Sequence, residues 1–201
     1  MAMQLGTTLK AFISKNKDLF TLNNMQALFN AYEEFIYNSN GDGDGTHGKE
    51  DDLLLFLLTG YSLSDILSRM VRIPKEMFLW YEGPLVIPET IKLIEKEAFY
   101  ESEITSVKLP ESLKEVSDGC FRECFKLMDV EFGYNLKRIG EEAFCDGVLK
   151  EVKIPKSVTT IGAAAFGSCP ITKVTIPWGF KDWLENIFDE KTVLTAEFTF
   201  I

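Results

Sequence analysis

His47 is the only histidine in 201 residues, and it narrows the chemistry open to this chain. Ser-His-Asp and Cys-His arrangements need an imidazole to take up the nucleophile's proton. Here each would depend on one residue in the glycine-rich loop Asn38 to Asp51. Gly41, Gly43 and Gly45 alternate with carboxylates, the wrong sign for cradling a phosphate. Adjacent acids such as Glu141 and Glu142 suit a solvated face. The expectation is a protein without catalytic activity. The same loop does set oxygen-bearing side chains at alternate positions, Asn40, Asp42 and Asp44, with Asp51 further on. Hard cations such as calcium bind through oxygen ligands of this kind.

Read from Asn40, the loop resembles a calcium-binding EF-hand loop. Asn40, Asp42 and Asp44 stand at the first, third and fifth positions, and Gly45 at the turn. It departs at Asn40, where Asp is usual, and at His47, where an aliphatic residue is usual. It departs again at Asp51, one methylene shorter than the usual bidentate Glu. No second loop of the kind occurs, and a flexible linker between helices explains the same residues. Calcium held by Asn40, Asp42, Asp44 and Asp51 is therefore one of two readings, and no other cofactor is expected. Cys120 and Cys124 lack C-x-x-C spacing, and one histidine cannot complete a zinc site with the four cysteines. The cysteines are expected to be small buried hydrophobes, their thiols reduced as in cytoplasm.

The elements around these residues are set by a repeat. Phe99, Phe121, Phe144, Phe166 and Phe188 are separated by 22, 23, 22 and 22 residues. Leu85, Val107, Val130, Val152 and Val174 keep the same steps. So do the apolar series Ile94, Val116, Ile139, Ile161, Trp183 and the small series Ala98, Cys120, Ala143, Ala165, ending in Ile187. Shared register across four series marks a solenoid. The unit V-x-I-P-x-x-V-x-x-I-G-x-x-A-F-x-x-C, cleanest over Val152 to Cys169, resembles the BspA-like leucine-rich repeat. That resemblance implies about five stacked units, each with a V-x-I strand followed by Pro. In a strand, alternate side chains face outward. The outward rows are then Lys108, Glu131, Lys153, Thr175 and Ser106, Asp129, Glu151, Lys173. They are the candidate partner-binding surface, although charge pairing between strands explains them equally well. The third unit, with Phe132-Gly133 where Ile-Pro is expected, should break the pattern.

Residues 5–69 read as helical. Leu22, Met25, Leu28, Phe29, Tyr32, Phe35 and Ile36 form one apolar stripe, and Leu53 to Leu58 reads as a buried helix. Ser62 to Asp65 has capping-box spacing and opens a helix carrying Ile66, Leu67 and Met70. Ser64 to Tyr81 faintly resembles a helix-turn-helix. The competing reading makes Val71-Arg72-Ile73-Pro74 a degenerate repeat strand, 14 residues before Leu85. Leu194 to Phe200 alternates like a closing strand, with Trp178 and Phe200 as caps or, if exposed, anchors. The fold class is thus α+β: a helical domain over residues 1–83 capping a leucine-rich-repeat solenoid over residues 84–201.

A net charge of −10 opposes general nucleic-acid binding through phosphates. No apolar run reaches the roughly 20 residues of a membrane span. Residues 1–30 show no secretory signal pattern, so a cytoplasmic location is expected. The expected function is non-enzymatic binding of a partner protein through the strand rows and the helical domain. The alternative is an acidic inhibitor of a nucleic-acid-handling protein, encoded by a phage or mobile element. Lysines interspersed through the repeats weigh against that alternative.

Overall fold

The computed structural model describes residues 63–201 apart from Glu76, Leu79 and Trp80. The helices expected upstream of Leu63 and the loop bearing Asn40, Asp42, Asp44 and Asp51 lie outside the described residues. The chain begins with α1 (Leu63–Leu67), whose Ile66 and Leu67 are buried together with Met70. It then coils into stacked rungs. One face carries the longer strands β2 (Glu82–Val86), β4 (Glu103–Lys108), β6 (Asp129–Glu131), β8 (Glu151–Lys153) and β10 (Lys173–Ile176). A second face carries the two-residue strands β1 (Arg72–Ile73), β3 (Leu93–Ile94), β5 (Glu115–Val116), β7 (Arg138–Ile139) and β9 (Thr160–Ile161). All pairing is parallel.

Hydrophobic burial drives the stacking. Each rung inserts one phenylalanine, and the rings stack face to face from Phe78 to Phe188. Centroid separations are 5.0, 4.9, 5.2, 5.2 and 5.6 Å. Such pairs add about 0.5–1.5 kcal/mol each beyond the area they bury. The small-residue series Ala98, Cys120, Ala143 and Ala165 is buried throughout, as is Ile187 at its end.

Phe78 heads a rung above the five phenylalanines visible in the repeat. Ile73 also belongs to the repeat, but in the second face: Arg72 and Ile73 pair with Leu93 and Ile94. A helix-turn-helix over Ser64 to Tyr81 is excluded, since that segment contains β1 and places Phe78 in the ring stack.

The turn joining the second face back to the first is held by backbone bonds from rung to rung. The N–H groups of Glu97, Phe99 and Glu101 donate to the carbonyls of Asp118, Cys120 and Arg122. The next rungs repeat this through Gly119, Phe121 and Glu123, then Glu142, Phe144 and Asp146. This satisfies polar groups that burial would otherwise leave orphaned. The geometry places Glu97, Gly119, Glu142 and Ala164, and again Glu101, Glu123, Asp146 and Ser168, in the left-handed region, with φ between 49° and 59°.

Two irregularities interrupt the sheets. β6 and β8 belong to separate three-stranded sheets, at the rung where Phe132-Gly133 replaces the Ile-Pro pair. Phe132 turns its ring edge-on to Phe144 at 5.7 Å, and a Cβ on Gly133 would lie 2.6 Å from the Pro110 carbonyl oxygen. Between β3 and β5, the Ser117 hydroxyl donates to the Ile94 carbonyl at 2.5 Å. At the other rungs a backbone N–H makes that bond.

The C-terminal end differs from its expected form. After Pro177 the chain runs through a 3-10 helix (Trp178–Trp183), α2 (Leu184–Ile187) and α3 (Glu190–Thr195). Trp183 therefore does not extend the series of Ile161; it is exposed, and the second-face sheet ends at β9. The closing strand is β11 (Glu197–Phe200), shorter than Leu194 to Phe200 because Leu194 and Thr195 finish α3. It pairs with β10 in register, Lys173 opposite Glu197 and Ile176 opposite Phe200.

Candidate interaction surface

The V-x-I rungs place valine or leucine inward and the flanking residues outward, because successive strand side chains point to opposite faces. Both expected rows form. Val86, Lys108 and Glu131 lie side by side, as do Lys153, Thr175 and Thr199. The second row sets Ser106 beside Asp129, and Lys173 between Glu151 and Glu197. The β6–β8 interruption divides each row in two. Ser106 and Thr175 are partly covered, and the other six predicted residues are exposed.

Ion pairs run along these rows. Lys108 Nζ lies 2.5 Å from Glu131 Oε1, and Glu151 Oε1 receives Lys153 at 3.2 Å and Lys173 at 3.9 Å. The hydrogen bond from Lys108 to Glu131 raises the lysine's pKa. Exposed pairs of this kind contribute little to stability, because water screens them. Their disruption by a docking partner would cost the fold little.

Elsewhere the same cross-rung pairing recurs. Asp118 receives Lys96 and Arg138, each at 2.7 Å, and Arg138 also meets Glu115 at 2.5 Å. Lys126 bridges Glu103 at 3.0 Å and Glu82 at 3.3 Å.

Three apolar side chains that the repeat pattern did not mark stand out near the rows. Phe125 is 61% exposed, Met128 66% and Tyr134 81%. Phe125 falls in the one unit that is 23 residues long, and that extra residue was the available signal. Met128 immediately precedes β6 and bonds through its N–H to the Thr105 carbonyl at 2.9 Å. Tyr134 follows Gly133 at the corner where neighbouring units carry Glu111 and Lys156. Trp178, the sequence's other aromatic candidate, is 60% exposed and packs on Phe200 at 5.2 Å.

Among the described residues no group of three or more metal-capable side chains occurs. The four cysteines are free and buried. Cys124 and Cys169 donate through Sγ to the Phe99 and Phe144 carbonyls, each at 3.1 Å. Burial pushes both thiols up to about 11, and Cys145 to about 12. They are protonated donors rather than nucleophiles. No described helix is long and apolar enough to cross a membrane.

Residues 72–195 match, in six copies, the family described as BspA type leucine rich repeat region. Among solved structures, the chain is similar to a leucine-rich repeat protein from Bacteroides ovatus, at 32% identity and a TM-score of 0.49. That match covers 52% of this chain and 28% of the other. A leucine-rich repeat protein from T. pallidum matches at 26% identity and a TM-score of 0.48, over 53% of this chain and 52% of its own. The pneumococcal vaccine antigen PcpA matches at 23% identity and a TM-score of 0.46, over 52% and 35%. The chain thus spans between 28% and 52% of the lengths of these relatives. Comparison with characterised proteins finds no significant match.

Proposed function

The chain belongs to the BspA type leucine-rich repeat family through residues 72–195, and from that membership we propose that it is a non-enzymatic module that binds a partner protein. The observation that carries this reading is the exposed strand face. Ser106, Lys108, Asp129, Glu131, Glu151, Lys153, Lys173 and Thr175 project from strands whose opposite side packs into the core, with Val130 of β6 half-buried there. A rigid surface of this kind loses little conformational entropy on binding. The alternating charges favour orientation and specificity, while Phe125, Met128 and Tyr134 supply exposed apolar contact beside them. Aromatic anchors of this type commonly carry much of an interface's affinity.

The reading extends to residues upstream of Leu63 only as the proposal that they share the interface. An acidic inhibitor of a nucleic-acid-handling protein draws no support from this face, whose carboxylates alternate with lysines. The proposed setting is the cytoplasm, where the four buried thiols would stay reduced.

The test is affinity capture from the native cell's lysate, at low and at high salt. The wild-type chain is compared with Lys108→Glu/Lys153→Glu/Lys173→Glu, whose fold is checked by circular dichroism. A protein retained by the wild type and lost from the variant supports the reading. Retention by both at equal yield moves binding off these rows. A nucleic-acid-handling enzyme held only at low salt would instead favour the inhibitor.

A further inference from the structure

Among the described residues β11 is the outermost strand of its sheet, with one neighbour, β10. The N–H groups of Glu197 and Ile201 donate to the carbonyls of Thr172 and Ile176, at 2.9 and 3.0 Å. In a parallel ladder alternate residues bond to opposite sides. The N–H and C=O of Phe198 and Phe200 therefore point to the free edge, a template for another strand.

Side-chain burial is incomplete at the same place. Phe198 and Phe200 are half-buried, whereas Val174 and Ile176, their neighbours in register, are wholly buried. Trp178 continues this apolar surface beside Phe200. The charge pattern is also unfinished. The row Glu151, Lys173, Glu197 alternates in sign from rung to rung, and among the described residues no cation pairs with Glu197.

We propose that β11 accepts an extended segment of a partner protein as an added parallel strand, with a basic residue opposite Glu197 and apolar residues opposite Phe198 and Phe200. Main-chain bonds along the edge supply affinity, and alternate side chains supply selectivity. The required pattern, basic-apolar-polar-apolar, is that of Lys173-Val174-Thr175-Ile176, which already pairs with β11 on its other side. This edge adjoins the strand rows of the proposed function at Lys173 and Glu197, but its backbone groups do not belong to them, and the proposal does not depend on that reading.

The test uses the full chain and a capped, fluorescently labelled peptide copying Thr172–Pro177. Saturable binding is expected, weaker by roughly threefold or more for a peptide carrying Lys173→Glu. Glu197→Lys should invert that preference. Phe198→Pro, which spares the amides facing β10, should remove binding, as should N-methylation of the peptide amides that face the edge. No binding at concentrations on the order of a millimolar, or equal binding of both peptides, overturns the proposal, and so does a preference that Glu197→Lys leaves unchanged. A concentration-dependent dimer in sedimentation, abolished by Phe198→Pro, assigns the edge to a second copy and overturns the choice of occupant.

Discussion

Stability concentrates in a few side-chain types, each repeated once per rung. Phe121 stacks between Phe99 and Phe144, at 4.9 and 5.2 Å. Phe121→Ala should cost about 3–5 kcal/mol in denaturant unfolding, because it opens a cavity and removes two ring contacts. Loss of under about 1 kcal/mol would mean that the stack is not the core. Asp118 holds its place by accepting from Lys96 and, in addition, from Arg138 and the Glu141 N–H, which lower its pKa from 3.8 to about 2. A depressed folded pKa contributes stability above the unfolded value and loses it as pH falls through the folded one. Acid titration should therefore show a loss between about pH 4 and 2 that is smaller in Asp118→Asn. The buried thiols should resist a thiol reagent at pH 8 and react once the protein unfolds, because burial keeps them protonated. Rapid native labelling of Cys124 would contradict its bond to the Phe99 carbonyl.

Among the elements, the short strands of the second face and the left-handed turns decide how closely rungs approach. A Cβ on Gly162 would stand 2.4 Å from the Glu141 backbone nitrogen, while one on Gly179 would meet nothing within 4 Å. Gly162→Ala should lower the melting temperature clearly, and Gly179→Ala should leave it nearly unchanged. Equal effects would deny the close rung contact. These elements also show why reading the chain succeeded unevenly. The phenylalanine and valine series were legible because a buried side chain must recur once per rung, and the outward rows followed from strand alternation. The left-handed positions were not, since Glu97, Glu101, Glu123 and Glu142 occupy a conformation that glycine or asparagine usually marks. The spacing of 14 residues from Val71 to Leu85 compares strands of different faces, whereas Ile73 lies 21 residues before Ile94, its partner in the second face. Trp183 kept the period but not the structure, because α2 and its preceding 3-10 helix replace the sixth short strand.

On the scale of the whole molecule, one continuous ring stack carries two partly interrupted faces. The core from Met70 to Phe188 is shared, so the β6–β8 break alters the surface without dividing the fold. Half of the proposed binding rows lies on each side of that break, with Phe125, Met128 and Tyr134 on the side of β6. Met128 and Tyr134 were not legible from period alone, since the equivalent positions of neighbouring units carry polar residues, Thr105 and Lys150 for the first and Glu111 and Lys156 for the second. The central claim is that this strand face, and not the second face, meets the partner. Lysines sit exposed on both: Lys108, Lys153 and Lys173 on the first, Lys114 and Lys137 beside the second. The most direct measurement is lysine cross-linking and mass spectrometry of the purified complex with a captured partner. The account predicts inter-protein links from Lys108, Lys153 and Lys173, with Lys114 and Lys137 unlinked. Links confined to Lys114 and Lys137 would contradict it.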